Sequence, residues 1–316
     1  MSPNSWICLH PSNATEAKLS LDNRGLAYGD GFFTTMGVID GQILWLDYHQ
    51  QRLVSHAAAL QLQLDSQSLL AMLKTHAKQL QQGMLKLIVT RAEQEVRGYG
   101  YTPNTGGSAC EIWFKSSPMA ITTAQSLPLA NNQFISLQPT ASAICLSSQI
   151  ACLPPPLAGL KSLNRLDNVL ASGELQAIKA KTLAGTIKPS IAEGLLRDMS
   201  GQWVEGTMSN VFYQLVEAPV AKSSNRPHSQ NNSNSNYLTQ GQWYTPSMAQ
   251  SGVAGVMRQV IIDTLSTSNN PVIIRSLQDE DLLHLSQLFF CNALRGIMPM
   301  SSLRLLSGEV VSFEAI

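Results

Sequence analysis

The chain has no apolar run of about 18 residues, so no membrane-spanning helix is expected. It has no excess of charge of either sign. The 21 Lys and Arg are matched by 21 Asp and Glu, whereas a nucleic-acid binder normally carries a basic excess. Charge of any kind is scarce, 13% of 316 residues against a usual share of about a quarter. That scarcity is consistent with some surface buried between subunits. Cysteine is sparse: Cys8, Cys110, Cys145, Cys152 and Cys291 form no CxxC pair. A reduced, cytoplasmic protein with buried thiols is the expectation. The six histidines show no HExxH-like spacing, so no metal is expected. Met1 to His10 has no basic start followed by a long apolar run, and no secretory leader is read. No internal repeat is visible.

What is present is a 44% hydrophobic chain long enough for two domains or one large one. Residues 19 to 45 read as strands around a glycine-rich turn at Gly25 to Gly31. Apolar spacing at Leu53, Ala57 and Leu60 predicts a helix over 47–62. A second helix is expected from Ser66 to the stop at Gly83. Met84 to Thr90 and Glu111 to Lys115 read as strands. Leu127 to Asn132 is polar, contains proline and has no periodicity, so the domain linker is expected there. Beyond it, Ile135 to Ile144 is strand-like and Ser162 to Lys181 helical. Glu193 to Val216 reads as a meander turning at Ser200-Gly201. Gly252 to Ser266 reads as a helix opened by two glycines, Asp279 to Leu285 as a short helix and Gln287 to Asn292 as a strand. Lys222 to Asn236 is dominated by Ser and Asn and cannot offset its ordering entropy by burial, so an insertion at about 219–240 is expected.

One lysine has neighbours unlike those of any other. Lys161 lies in Leu160-Lys161-Ser162-Leu163-Asn164-Arg165-Leu166-Asp167-Asn168-Val169-Leu170, delivered by a Pro/Gly loop from Pro154 to Gly159. A lysine held among apolar residues loses its proton at lower cost, and its free amine forms a Schiff base with a carbonyl cofactor. Such a cofactor works through a pyridine electron sink, whose ring nitrogen an acidic residue keeps protonated. Glu205 suits that role, or is an exposed strand-end carboxylate. Gly252-Val253-Ala254-Gly255-Val256-Met257-Arg258 suits a phosphate, because glycines permit close approach and a helix start presents unpaired N–H groups. It equally suits an ordinary glycine-rich helix entry. Arg52 is either the phosphate's cation or part of a solvated helix face. Arg91 with Arg97-Gly98-Tyr99 suits bidentate carboxylate recognition, or is a plain surface loop. Gly25-x-x-x-Gly29-Asp30-Gly31 has neither the spacing nor the βαβ setting of a dinucleotide loop.

The order of these segments is more specific than any one of them. Leu21-Asp22-Asn23-Arg24-Gly25-Leu26-Ala27-Tyr28-Gly29-Asp30-Gly31-Phe32-Phe33-Thr34-Thr35 resembles the start of the class IV (fold type IV) pyridoxal phosphate enzymes. The His49–Leu53, Lys161, Glu205–Phe212 and Gly252–Gln259 segments follow in the family's order. The resemblance spans roughly residues 19 to 306. It implies an α+β, two-domain fold of the D-amino acid aminotransferase type. A small N-terminal α/β domain (1–128) would precede a larger domain (133–316) with a β-barrel-like sheet.

Arg165, Arg97-Gly98-Tyr99, Tyr244-Thr245-Pro246, Gly255 to Gln259 and Cys291 to Leu294 resemble the aminodeoxychorismate lyase branch. That branch implies loss of pyruvate from 4-amino-4-deoxychorismate to give 4-aminobenzoate, a folate precursor. The alternative is a D-amino acid or branched-chain aminotransferase. By resemblance the cofactor is pyridoxal 5'-phosphate and Lys161 its catalytic Schiff-base residue. Glu205 pairs with the ring nitrogen, while Arg52 and the amides of Val256 and Met257 hold the phosphate. Asn292 and Ala293 approach that phosphate from another loop, Arg165 lies near the phenolic oxygen, and Met208 packs on the ring face. Arg97, Tyr99 and Thr35 are candidates for the substrate. A homodimer acting on a small molecule is implied, with no nucleic-acid or membrane partner.

Overall fold

The computed structural model describes residues 6–8, 19–103, 109–121, 125–129, 133–183, 191–216 and 237–313. The insertion expected at about 219–240 lies almost wholly outside them. The chain forms two compact units. One comprises Met1–Thr122, Leu153–Leu166 and Val253–Met257, and the other Thr123–Cys152, Asp167–Gly252 and Arg258–Ile316.

The first unit is an antiparallel sheet with helices on one face. Its strands are β1 (Trp6–Cys8), β2 (Gly31–Ile39), β3 (Gln42–Ile43), β4 (Gly83–Arg91) and β5 (Cys110–Pro118), in the order β1-β5-β4-β2-β3. A short helix α1 (Arg24–Tyr28) precedes β2, and α2 (Leu46–Ala59) and α3 (Ser66–Leu80) separate β3 from β4. Alternation along β4 turns Leu85, Leu87 and Val89 to one face. There they meet Leu53 and Ala57 of α2 and Leu69, Leu70, Leu73 and Ala77 of α3, all buried. Each fully buried leucine of this kind contributes about 1.5–3 kcal/mol. Asp65 caps α3 by accepting from the Ser68 N–H at 3.1 Å.

The segment carrying Lys161 is laid along β2. The Phe33 N–H donates to the Lys161 carbonyl and the Leu163 N–H to the Gly31 carbonyl, each at 3.0 Å. Gly159 then accepts from the Ala254 N–H at 2.9 Å, which ties the 253–257 segment to the same loop.

In the second unit six strands close on themselves. They are β8 (Ala141–Ile150), β9 (Ile191–Asp198), β10 (Trp203–Gly206), β11 (Asn210–Leu215), β14 (Leu285–Asn292) and β15 (Gly296–Arg304), and β15 pairs back onto β8. This is the barrel-like sheet that the resemblance implied. Short strands extend it: β6 (Gln125–Pro128), β7 (Phe134–Leu137), β12 (Tyr244–Thr245), β13 (Ile273–Ile274) and β16 (Val310–Ser312). Alternate residues of β8 feed two separate cores. Ala143 and Cys145 pack with Trp203, Tyr213 and Phe290. Ile144 and Leu146 pack with Ala171 and Leu175 of α4 (Leu166–Leu183). The last helix is α5 (Val256–Leu265).

Several local expectations are corrected. Most of the glycine-rich turn expected at Gly25 to Gly31 is helix Arg24–Tyr28, which the Asn23 side chain caps by accepting from the Leu26 N–H at 3.0 Å. The helix expected from Ser162 begins at Leu166, since residues 162–163 are committed to pairing with β2. The strand expected over 135–144 is two strands, β7 and β8. Leu127 and Pro128 of the expected linker belong to strand β6, paired with β7, and residues 130–132 lie outside the described residues. No helix among the described residues is long and apolar enough to cross a membrane.

Candidate active site

In the first unit the structure gathers Arg52, Lys161 and Arg165 with two histidines. Arg52 is buried in the middle of α2. Its Nη2 donates to the Ala254 carbonyl at 2.7 Å and its Nη1 contacts Thr34 Oγ1 at 3.5 Å. Both partners are uncharged oxygens, and Arg52 has no carboxylate partner among the described residues. Burial and the neighbouring Arg165 lower its pKa to about 10.

His49 is fully buried and shares a 2.8 Å bond with Thr34 Oγ1 through Nδ1, while its Nε2 has no partner among the described residues. Burial, then Arg52 and Lys161, hold it well below the ordinary histidine pKa. His56 is brought down to about 3 by burial and by Arg52, Lys161 and Arg165. Both rings are therefore neutral near pH 7, and the cluster keeps a net positive charge.

Lys161 extends its Nζ over the Phe33 ring, 4.6 Å from the centroid. Arg165 folds back to donate to the Leu160 carbonyl of the same loop. Val256 and Met257 are buried in the first turn of α5, where amide N–H groups have no intrahelical acceptor. Thr35 is half-buried on the Phe33 side of β2. Arg97 and Tyr99 lie on an exposed loop, Tyr99 being 84% exposed. That loop is pinned by Arg24, which donates to the carbonyls of Gly98 at 3.3 Å and Tyr99 at 3.1 Å. Arg91 is not available to a ligand as the sequence suggested. It is 3% exposed, paired with Asp30 at 2.9 Å and bonded to the Leu60 carbonyl at 2.6 Å.

In the second unit Glu205 is 3% exposed at the end of β10, so the exposed-carboxylate reading fails. Asn168 Nδ2 donates to it at 3.4 Å. A Cβ on Gly252 would stand 3.0 Å from its Oε2, and Gly252 has φ +76°, so a glycine there leaves room beside the carboxylate. The turn after Glu205 is fixed by a second buried acid, Glu193. It accepts from the Thr207 N–H at 3.0 Å, the Thr207 hydroxyl and the Ser209 hydroxyl at 2.7 Å. Met208, at the tip, is 58% exposed. Its carbonyl is 3.5 Å from Asn292 Nδ2, and Asn292 Oδ1 accepts from the N–H groups of Leu294 and Arg295 in the turn that holds Ala293.

Sequence reasoning missed His49, His56, Asn168 and Glu193. His49 was quoted only as a neighbour of Arg52, and the other three have no spacing signal. The Lys161 partner of His56 lies 105 residues on and the Glu205 partner of Asn168 lies 37 residues on.

The family model for class IV amino-transferases matches residues 31–303, and the chain belongs to that family. Among curated relatives it is 23% identical to an aminodeoxychorismate lyase of Vibrio harveyi, over 91% of this chain and 88% of the relative. It is 27% identical to a putative branched-chain-amino-acid aminotransferase of Methanocaldococcus jannaschii, over 95% and 87%. Among solved structures it resembles the 4-amino-4-deoxychorismate lyase of Pseudomonas aeruginosa, with a TM-score of 0.69, 29% identity and coverage of 95% and 91%.

Proposed function

We propose that the chain is a pyridoxal 5'-phosphate enzyme that removes pyruvate from 4-amino-4-deoxychorismate and releases 4-aminobenzoate. The observation that carries the cofactor is the buried Arg52, which has no carboxylate partner among the described residues and lies beside two more cations. A buried charge of this kind is stabilised by an anion, and the first turn of α5 adds N–H groups suited to phosphate. Glu205, buried beside a glycine, suits a protonated pyridine nitrogen. The residues present therefore fit the cofactor.

Bound there, the cofactor would supply an aldehyde that captures the substrate amine and a ring that accepts an electron pair. The remaining work falls to the chain. Lys161 would be the covalent anchor, and its amine, when free, would take the proton from the substrate carbon bearing nitrogen and return one as pyruvate leaves. Glu205 would keep the ring nitrogen protonated. Arg52 and the amides of Val256 and Met257 would bind the phosphate, with Asn292 and Ala293 as further phosphate contacts. Arg165 would serve the phenolic oxygen and Met208 the ring. Arg97, Tyr99 and Thr35 receive the substrate. Aromatisation of the six-membered ring drives the step.

The lyase reading draws on Arg165 and on the two lyase likenesses. The 27% identity to the archaeal relative supports a second reading, a branched-chain or D-amino acid aminotransferase using the same cofactor residues. Supplying aminodeoxychorismate without any keto acid separates the two. Equal amounts of 4-aminobenzoate and pyruvate are expected, and turnover only on adding a keto acid would overturn the lyase reading. A homodimer completes the proposal. It is supported by the low charge and by Leu166, Val169 and Leu170, which project from α4 at 78%, 62% and 71% exposure, and light scattering measures it.

A further inference from the structure

Lys161 is held by its own main chain as well as by its loop. Its backbone N–H points at Nε2 of His56, 2.9 Å away. An N–H only donates, so Nε2 carries no proton and a neutral ring has its proton on Nδ1. Nδ1 lies 3.3 Å from Ser55 Oγ, and that hydroxyl donates to the Arg52 carbonyl at 3.2 Å. The bond directions agree along the whole line, from Lys161 to His56 to Ser55 to Arg52. One turn of α2 thus carries the buried cation at Arg52 and, four residues on, the acceptor for Lys161. The His56 ring is 5% exposed and packs edge-on against Phe32 at 5.4 Å.

We propose that His56 is a positioning residue that fixes the main chain of Lys161 through a neutral Nε2 acceptor. Imidazole suits this place because it accepts without adding negative charge. An Asp or Glu would pair with Arg52 and cancel the cation that an anionic ligand needs. Lys or Arg would only donate, and Ser is too short to span the gap from α2. Burial, and then the neighbouring Arg52, Lys161 and Arg165, keep the ring unprotonated, so the acceptor persists near neutral pH. The consequence for turnover rests on the reading of Lys161 as the Schiff-base residue, whereas the bond itself does not.

The test uses the protein as purified. In His56→Ala, exchange of the Lys161 amide proton should quicken about tenfold, the loss of one buried hydrogen bond. In His56→Gln, whose side-chain oxygen reaches a similar distance, exchange should return toward wild type. Turnover should follow the same order, with kcat down about tenfold in the alanine variant and KM changed little. Nitrogen NMR of the wild-type imidazole should show Nδ1 protonated and Nε2 bare at pH 7. A protonated Nε2, unchanged exchange in the alanine variant, or no rescue by glutamine would overturn the proposal. If the alanine variant does not fold, the wild-type tautomer and the glutamine variant decide. Failure of borohydride to trap Lys161 in the wild type would instead refute the cofactor reading, and the exchange data would still judge the bond.

Discussion

Arg52 Nη2 is 2.7 Å from the carbonyl oxygen of Ala254, a residue two positions before α5 begins. One guanidinium therefore ties α2 to the chain that leads into the amide-rich helix start. Arg52→Ala removes both a cation and this tie. Cofactor affinity should fall about a hundredfold or more, as expected when a buried charged partner is lost. Arg52→Lys should recover only part, because an ammonium cannot reproduce the planar fork. Fluorescence titration of the apoprotein with pyridoxal phosphate measures both.

Lys161→Ala should abolish turnover, since anchor and base are then the same missing group. The purified wild type should be yellow and bleach with borohydride, and the variant should not acquire a borohydride-stable adduct. Full activity in the variant would remove Lys161 from the mechanism.

Gly252→Ala should destabilise the protein by about 1–3 kcal/mol, because a side chain at positive φ is strained and the space is taken. The added Cβ would stand 2.9 Å from Val204 Cγ1 and 3.0 Å from both Glu205 Oε2 and Met248 Sδ. Valine is stiff, so the Glu205 carboxylate and the Met248 thioether are the neighbours that give way. Thermal unfolding should shift down by several degrees, with activity lost beyond what the stability change explains.

Stability should fall as pH drops below 6.5. His56 is lowered to about 3 from an ordinary 6.5, and His49 is lowered in the same direction. Between about pH 3 and 6.5 the unfolded chain binds protons at these sites that the folded chain does not. Unfolding free energy therefore rises with pH through this window and levels off above it, by up to about 1.4 kcal/mol per pH unit for each such group. Urea titrations from pH 5 to 7.5 check the slope. His56→Gln should flatten it by one proton's worth.

The periodic elements were legible: α2, α3, β4 and the β9–β11 meander carry their apolar spacing openly. The conformation of the segment around Lys161 was not legible. Its helix starts late because Ser162 and Leu163 pair with β2, a partner more than a hundred residues earlier that no local pattern names. Arg91 misled for a related reason. An arginine after a strand reads as exposed, yet Asp30 and the Leu60 carbonyl hold it inside. Glu193 and His56 were silent because their work is to bind backbone and hydroxyl groups that only the tertiary fold delivers.

The six-strand ring also constrains how the chain is made. Strands β8 to β11 leave the ribosome before β14 and β15, so β8 and β11 wait with bare edges until that hairpin follows. Bare edges recruit other strands. Interrupted translation or loss of the β14–β15 hairpin should therefore leave this protein prone to clumping even with Arg52, Lys161 and Glu205 intact.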